Sequence, residues 1–315
     1  MLPYWLLFGF FAGGALLRRP RAHGYDTYPL LAVGAALIAL MIGLRYQVGA
    51  DWEQYRFMFS FAEYADWDRQ IRLGDPGYQT LNWIVQRSGG ALWTVNLLCG
   101  AAFAWGLWRL CRLQREPWLA MLVAVPYLVV VVAMGYSRQA VAIGILMAGL
   151  ASLLRGGSTG RFIIYVAAAA LFHKSAVVVL PLVAFASKRN RLLNLALAVA
   201  ATVLFYNVFL ERSVDTLVRN YIVAEYSSQG AAIRVAMSLL PAIIFLARPS
   251  AFGFEELERK IWRNFAWASV AMAVALAASP SSTAVDRLAL YLLPLQVIIL
   301  ARVPGSLVSR GLGIV

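Results

Sequence analysis

The sequence predicts an all-α fold: a polytopic transmembrane bundle of about eleven spans, with its N-terminus outside the cytoplasm and its C-terminus inside. Three observations point there. Of the 315 residues, 61% are apolar and only 14% charged, where a soluble domain carries about 25% charged residues. Mean hydropathy is +0.70. Apolar runs bounded by charge recur along the whole length. One bundle absorbs nearly all of the chain, so residues 1–315 are expected to form a single integral-membrane domain.

The spans fall at 2–17, 28–44, 91–109, 117–136, 140–154, 162–173, 175–187, 192–210, 233–247, 264–279 and 287–301. With the N-terminus outside, inside loops carry 17 Lys+Arg and 5 Asp+Glu, whereas outside loops carry 11 and 10. That bias sets the orientation. No basic residue precedes the first apolar run, and Arg18, Arg19 and Arg21 follow it. This is the reverse of a cleaved signal and reads as a retained span. The segments 162–173 and 175–187 are short for spans. Read as one helix, they would carry His173 and Lys174 at the centre and place Lys188, Arg189 and Arg191 outside. Two short helices meeting at His173 keep the charge bias and set the histidine in a protein-lined cavity.

The outside loop 45–90 carries Trp52, Tyr55, Phe57, Phe59, Phe61, Tyr64 and Trp67, residue types that favour the membrane interface. It is expected to form helical pieces lying on the outer surface. Asp75-Pro76 reads as N-cap and first position of one such helix, which Gly89-Gly90 ends. The loop 211–232 is the other large outside segment. Inside, the 248–263 segment contains EELERKIWR, an amphipathic surface helix.

The net charge of +13 does not indicate nucleic acid, because the cations are scattered through short loops without a contiguous basic stripe. Cys99 and Cys111 lie on one expected helix, roughly 18 Å apart, too far for a disulfide. No His/Cys cluster has metal-ligand spacing, so neither a metal nor another cofactor is expected.

Chemistry is expected from charges stranded at span ends on the outer face: Arg45, Asp51, Arg138, His173, Lys174, Arg234, Asp286 and Arg287. Charges at membrane depth are costly and mark functional sites by default. Each also has a plainer role. Arg45 could anchor at the interface and pair locally with Asp51; Ser137-Arg138-Gln139 could be a polar turn, and Asp286-Arg287 a local ion pair. The combination outweighs these readings, since several spans deliver a cation to the face where cations are disfavoured. Arg offers a planar fork matched to phosphate oxygens. A lone histidine is often structural, but positive neighbours and burial favour a neutral imidazole at His173, able to accept a proton.

The pieces RYQVGADWEQY at 45–55, DPGY at 75–78, SRQAVA at 137–142, FHKSA at 172–176 and DRLALY at 286–291, in this order, resemble the EpsG family of polysaccharide polymerases, relatives of Wzy-type O-antigen polymerases. The resemblance implies an enzyme of the bacterial inner membrane acting at the periplasmic face. It would join oligosaccharide repeat units carried on undecaprenyl pyrophosphate, with a chain-length regulator as a further partner. The expected catalytic residues are His173, Arg138, Arg287 and Asp51; the expected substrate contacts are Arg45, Tyr55, Tyr78, Gln139, Lys174, Arg234, Asp286 and Tyr291. A flippase or transporter, and an O-antigen ligase, are the competing functions. A transporter should show inverted repeats and a midplane site, and the sequence has no such repeat.

Overall fold

The computed structural model describes residues 1–17, 29–184, 230–278 and 282–308, together with 186, 196, 199 and 203. Most of the expected span 192–210, most of the 211–232 loop, and the cations Arg18, Arg19, Arg21, Lys188, Arg189 and Arg191 lie outside these residues. Among the described residues all regular structure is helical. The chain divides into two compact units, Met1–Arg155 with Ile164–Ala176, and Gly156–Ile163 with Val177–Val315.

In the first unit, α1 (Leu2–Leu17) and α2 (Pro29–Gly43) precede three loop helices, α3 (Trp52–Phe61), α4 (Trp67–Ile71) and α5 (Pro76–Arg87). Then come α6 (Leu92–Cys111), α7 (Pro117–Ala124) and α8 (Ser137–Leu154). Helix α6 packs on both α2 and α8. The α6–α8 contact is made by backbones: a Cβ on Gly106 would lie 1.8 Å from the Gly144 carbonyl oxygen. Small residues let helices approach this closely, as in membrane bundles, where lipid supplies no hydrophobic push between helices.

The 45–90 loop forms the expected helical pieces and folds back on itself. Trp67 Nε1 donates to Thr80 Oγ1 at 3.2 Å, and Trp83 Nε1 to the Ala65 carbonyl at 3.2 Å. Phe57, Tyr64 and Trp67 are exposed, as interfacial aromatics would be. Tyr55 departs from that expectation: it is buried, packed on Tyr78 with ring centroids 5.5 Å apart. Gly89, with φ +74°, follows α5.

Helix α7 widens to an i→i+5 pattern over Val125–Ala133. Pro126 has no N–H to donate, which disrupts the ordinary ladder there. Helix α8 begins at Ser137, so Ser137-Arg138-Gln139 is a first helical turn rather than a polar loop. Helix α9 (Thr159–Phe172) stops at His173, and a 3-10 turn, Lys174–Val178, leads to α10 (Val179–Ala184). The two short helices expected around His173 are therefore present.

The second unit contains α11 (Ala231–Ala247), α12 (Glu256–Ala278), α13 (Ser282–Ala289) and α14 (Leu293–Val308). Here the structure corrects the sequence reading. EELERKIWR is not a separate surface helix; all but its first residue forms the opening turns of the 23-residue α12, with Ile261 and Trp262 buried. The charge survives there because Arg302 donates to Glu258 Oε1 at 3.0 Å and stacks on Phe254. Asp286-Arg287 lies in the second turn of α13, near the start of the apolar stretch Ser282–Ser306.

Among the described residues, three stretches are long and apolar enough to cross a membrane: Ser137–Leu154, Glu256–Ala278 and Ser282–Ser306. Six further apolar helices among them have 10–17 residues. Ser137–Leu154 is mostly buried inside protein, whereas Glu256–Ala278 presents most of its surface outward.

Candidate functional site

The site in the first unit is built where α2 ends, α5 and α8 begin, and α9 breaks. Arg45 follows α2 and is only 5% exposed. Its Nη1 donates to the Ala133 carbonyl at 3.0 Å, and its Nη2 to Asn96 Oδ1 at 3.4 Å and to Ser137 Oγ. One side chain thus serves an acceptor at the end of the widened helix, one on α6 and one on the first residue of α8. The fork expected to face substrate is engaged by the protein itself. Gly49 reinforces the junction: its φ is +108°, and a Cβ there would meet the Met134 carbonyl oxygen at 2.5 Å. Asp51 is half-buried at the start of α3, one turn before Tyr55.

Arg138 lies in the first turn of α8, where a cation opposes the helix dipole. A buried carboxylate offsets this. Asp75 Oδ2 accepts from Arg138 Nη1 at 3.0 Å, and Asp75 Oδ1 accepts from the Lys174 backbone N–H at 3.3 Å. Asp75 occupies the N-cap position of α5, as the sequence suggested, but its side chain does not cap that helix. It bonds instead to two segments 63 and 99 residues away. Burial pushes its carboxyl above the usual carboxylate range, against the pull of Arg138 and Lys174.

The guanidinium of Arg138 also lies over Tyr55, 5.9 Å from the ring centroid, and Tyr55 packs on Tyr78. Gln139 is buried beside it, while His173 and Lys174 are half-buried at the break. The structure therefore gathers Tyr55, Tyr78, Arg138 and the His173–Lys174 peptide around one carboxylate that the sequence had left out of the site. Its membership in the Asp75–Tyr78 piece was the available signal. Reading Asp75 as a local cap concealed it.

In the second unit, Arg234 Nε donates to Asp286 Oδ1, and both residues are buried. Asp286 therefore pairs across helices α11 and α13, 52 residues apart. Arg287 follows on α13, half-buried, and Tyr291 is buried one turn later. Gly230, with φ +88°, caps α11 and leaves room for the Arg234 side chain.

Apolar helices with buried cation–carboxylate pairs at their ends define a helical membrane protein with a polar site. Residues 30–310 match the sequence profile of the EpsG family, and the chain belongs to that family. No curated protein and no solved structure gives a significant match.

Proposed function

We propose that this protein is a glycosyltransferase that polymerises undecaprenyl-pyrophosphate-linked oligosaccharide repeat units at the periplasmic face of the bacterial inner membrane. The observation that carries the reading is Arg138, held beside the His173–Lys174 break at the buried end of α8, in a chain of the EpsG family. The charge asymmetry of the loops supports the periplasmic orientation.

In this reaction a sugar hydroxyl of one lipid-linked unit attacks the anomeric carbon of the glycan on another. The new carbon–oxygen bond forms as the bond to pyrophosphate breaks, and the diphosphate leaves with the bonding pair. Negative charge grows on the departing group, and a guanidinium fixed in a water-poor setting stabilises it. Arg138 is assigned that role, with Lys174 as a neighbouring point charge. His173 takes the hydroxyl proton, with Asp51 as the alternative acceptor. Tyr55, Tyr78 and Gln139 are assigned substrate contacts in the same cluster, and Arg45 sets the α8 terminus. In the second unit, Arg287 is assigned a catalytic role, and Arg234, Asp286 and Tyr291 substrate binding.

The test is reconstitution of the purified protein with lipid-linked repeat units. Wild-type protein is expected to lengthen the glycan, and Arg138→Ala, Arg287→Ala and His173→Ala to abolish lengthening while the protein still accumulates. Movement of the lipid across the bilayer without bond formation would replace this reading with transport.

A further inference from the structure

We infer that Asp75 is a positioning residue of the transfer site: one carboxylate fixes both the Arg138 guanidinium and the backbone at Lys174. The inference rests on the function proposed above and adds a residue to it.

The geometry is unusual for an Asp-Pro helix start. A side chain at this position ordinarily accepts from the N–H groups of its own helix. Asp75 makes no such bond. Both its oxygens are committed elsewhere, Oδ2 to Arg138 Nη1 and Oδ1 to the Lys174 N–H. That N–H opens the 3-10 turn after His173, so the carboxylate supplies a cap to a different segment. The chain makes room for the contact: a Cβ on Gly74 would sit 3.4 Å from Arg138 Nη1 and 3.3 Å from Gln79 Nε2. At 6% exposure, Asp75 works where water competes little for either bond.

The consequence is directional. A free guanidinium rotates about its long side chain, whereas one bonded to a fixed carboxylate presents its remaining N–H groups in a set direction. The same carboxylate fixes the peptide that carries His173. Proton acceptor and diphosphate partner are thus placed relative to each other by one group that touches neither substrate.

The experiment uses the full-length protein in liposomes with lipid-linked repeat units, alongside hydrogen exchange at the Lys174 amide. Asp75→Asn keeps an oxygen for the Lys174 N–H and loses the charge facing Arg138; Asp75→Ala loses both. We expect kcat to fall about 100-fold in Asp75→Asn, the scale for misplaced catalytic groups. Asp75→Ala should fall further, KM should change far less than kcat, and Asp75→Glu should recover part of the rate. Exchange at Lys174 should accelerate in Asp75→Ala but little in Asp75→Asn. Retention of kcat within about threefold in folded Asp75→Ala would overturn the inference. So would unchanged exchange at Lys174, which is readable in any variant that folds, and Asp75→Glu provides a conservative second variant. Faster exchange in Asp75→Ala alongside a wild-type protein that makes no polymer would leave the positioning contact supported and remove the polymerase reading.

Discussion

The side chain of Arg45 bonds to Ser137, the residue immediately before Arg138. The cation that closes the second helix thereby fixes the first turn of the helix carrying the proposed phosphate-binding arginine. Arg45 also bonds the Ala133 carbonyl, an acceptor that the widened helix leaves at its end.

Arg45→Ala is expected to destabilise the protein by about 3–5 kcal/mol, since it strips the donor from three buried neutral acceptors at about 1–3 kcal/mol each. Arg45→Lys should lose a smaller part, about 1–3 kcal/mol, because an ammonium cannot span three acceptors on separate elements. Unfolding in detergent, followed by tryptophan fluorescence, reads both. Wild-type stability in Arg45→Lys would mean that charge alone suffices.

The backbone contact between α6 and α8 gives a second prediction. Gly106→Ala forces a methyl against the Gly144 carbonyl and should cost about 1–3 kcal/mol or more. Gly13→Ala is the control, since nothing lies within 4 Å of a Cβ there; it should be neutral or gain up to about 1 kcal/mol of helix propensity. The same unfolding measurement, made on both variants, reads the contrast.

In the second unit, Asp286→Asn removes a counter-charge from the buried Arg234. A loss of about 3–5 kcal/mol is expected, partly restored when Arg234 is also replaced by Met. A double-mutant cycle on stability measures the coupling; additive effects would show that the pair is not a unit.

How much of this was legible beforehand depended on the range of the signal. The break at His173 could be read locally, since an alanine-rich run ends abruptly at His173-Lys174. The loop helices could be read from Asp75-Pro76 and Gly89-Gly90. The partners could not. Asp75 with Arg138, and Arg234 with Asp286, join residues 63 and 52 positions apart. Which side chains meet depends on helix rotation and approach, and those are set by contacts such as Gly106 on Gly144. The same gap explains α12: EELERKIWR looked interfacial because the residue that neutralises Glu258, Arg302, lies 44 positions away.

The Asp75 carboxyl also predicts a pH dependence. Burial raises its pKa, while Arg138 and Lys174, the charged groups facing it from α8 and the 3-10 turn, oppose that rise. The contact needs the carboxylate, so it is lost as pH falls through the raised folded value, above the roughly 3.9 of an exposed Asp. For stability the sign is opposite to that of a salt-bridge carboxylate with a depressed pKa. The cost of ionising Asp75 is fully present above the folded value and vanishes below the unfolded one. Both proteins lose rate as His173 is protonated, but the wild type should show a further loss as Asp75 is protonated, absent from the residual activity of Asp75→Asn. Identical pH–rate profiles would contradict this.

In the proposed reaction Arg138 stabilises the departing diphosphate during glycan transfer. Counting undecaprenyl pyrophosphate released per glycosidic bond formed by reconstituted protein, for wild type and Arg138→Lys, tests this. One is expected per bond in the wild type. A kcat at least about 100-fold lower is expected in Arg138→Lys, because a point charge does not replace the fork. Bond formation without release, or an undiminished rate in Arg138→Lys, would contradict it.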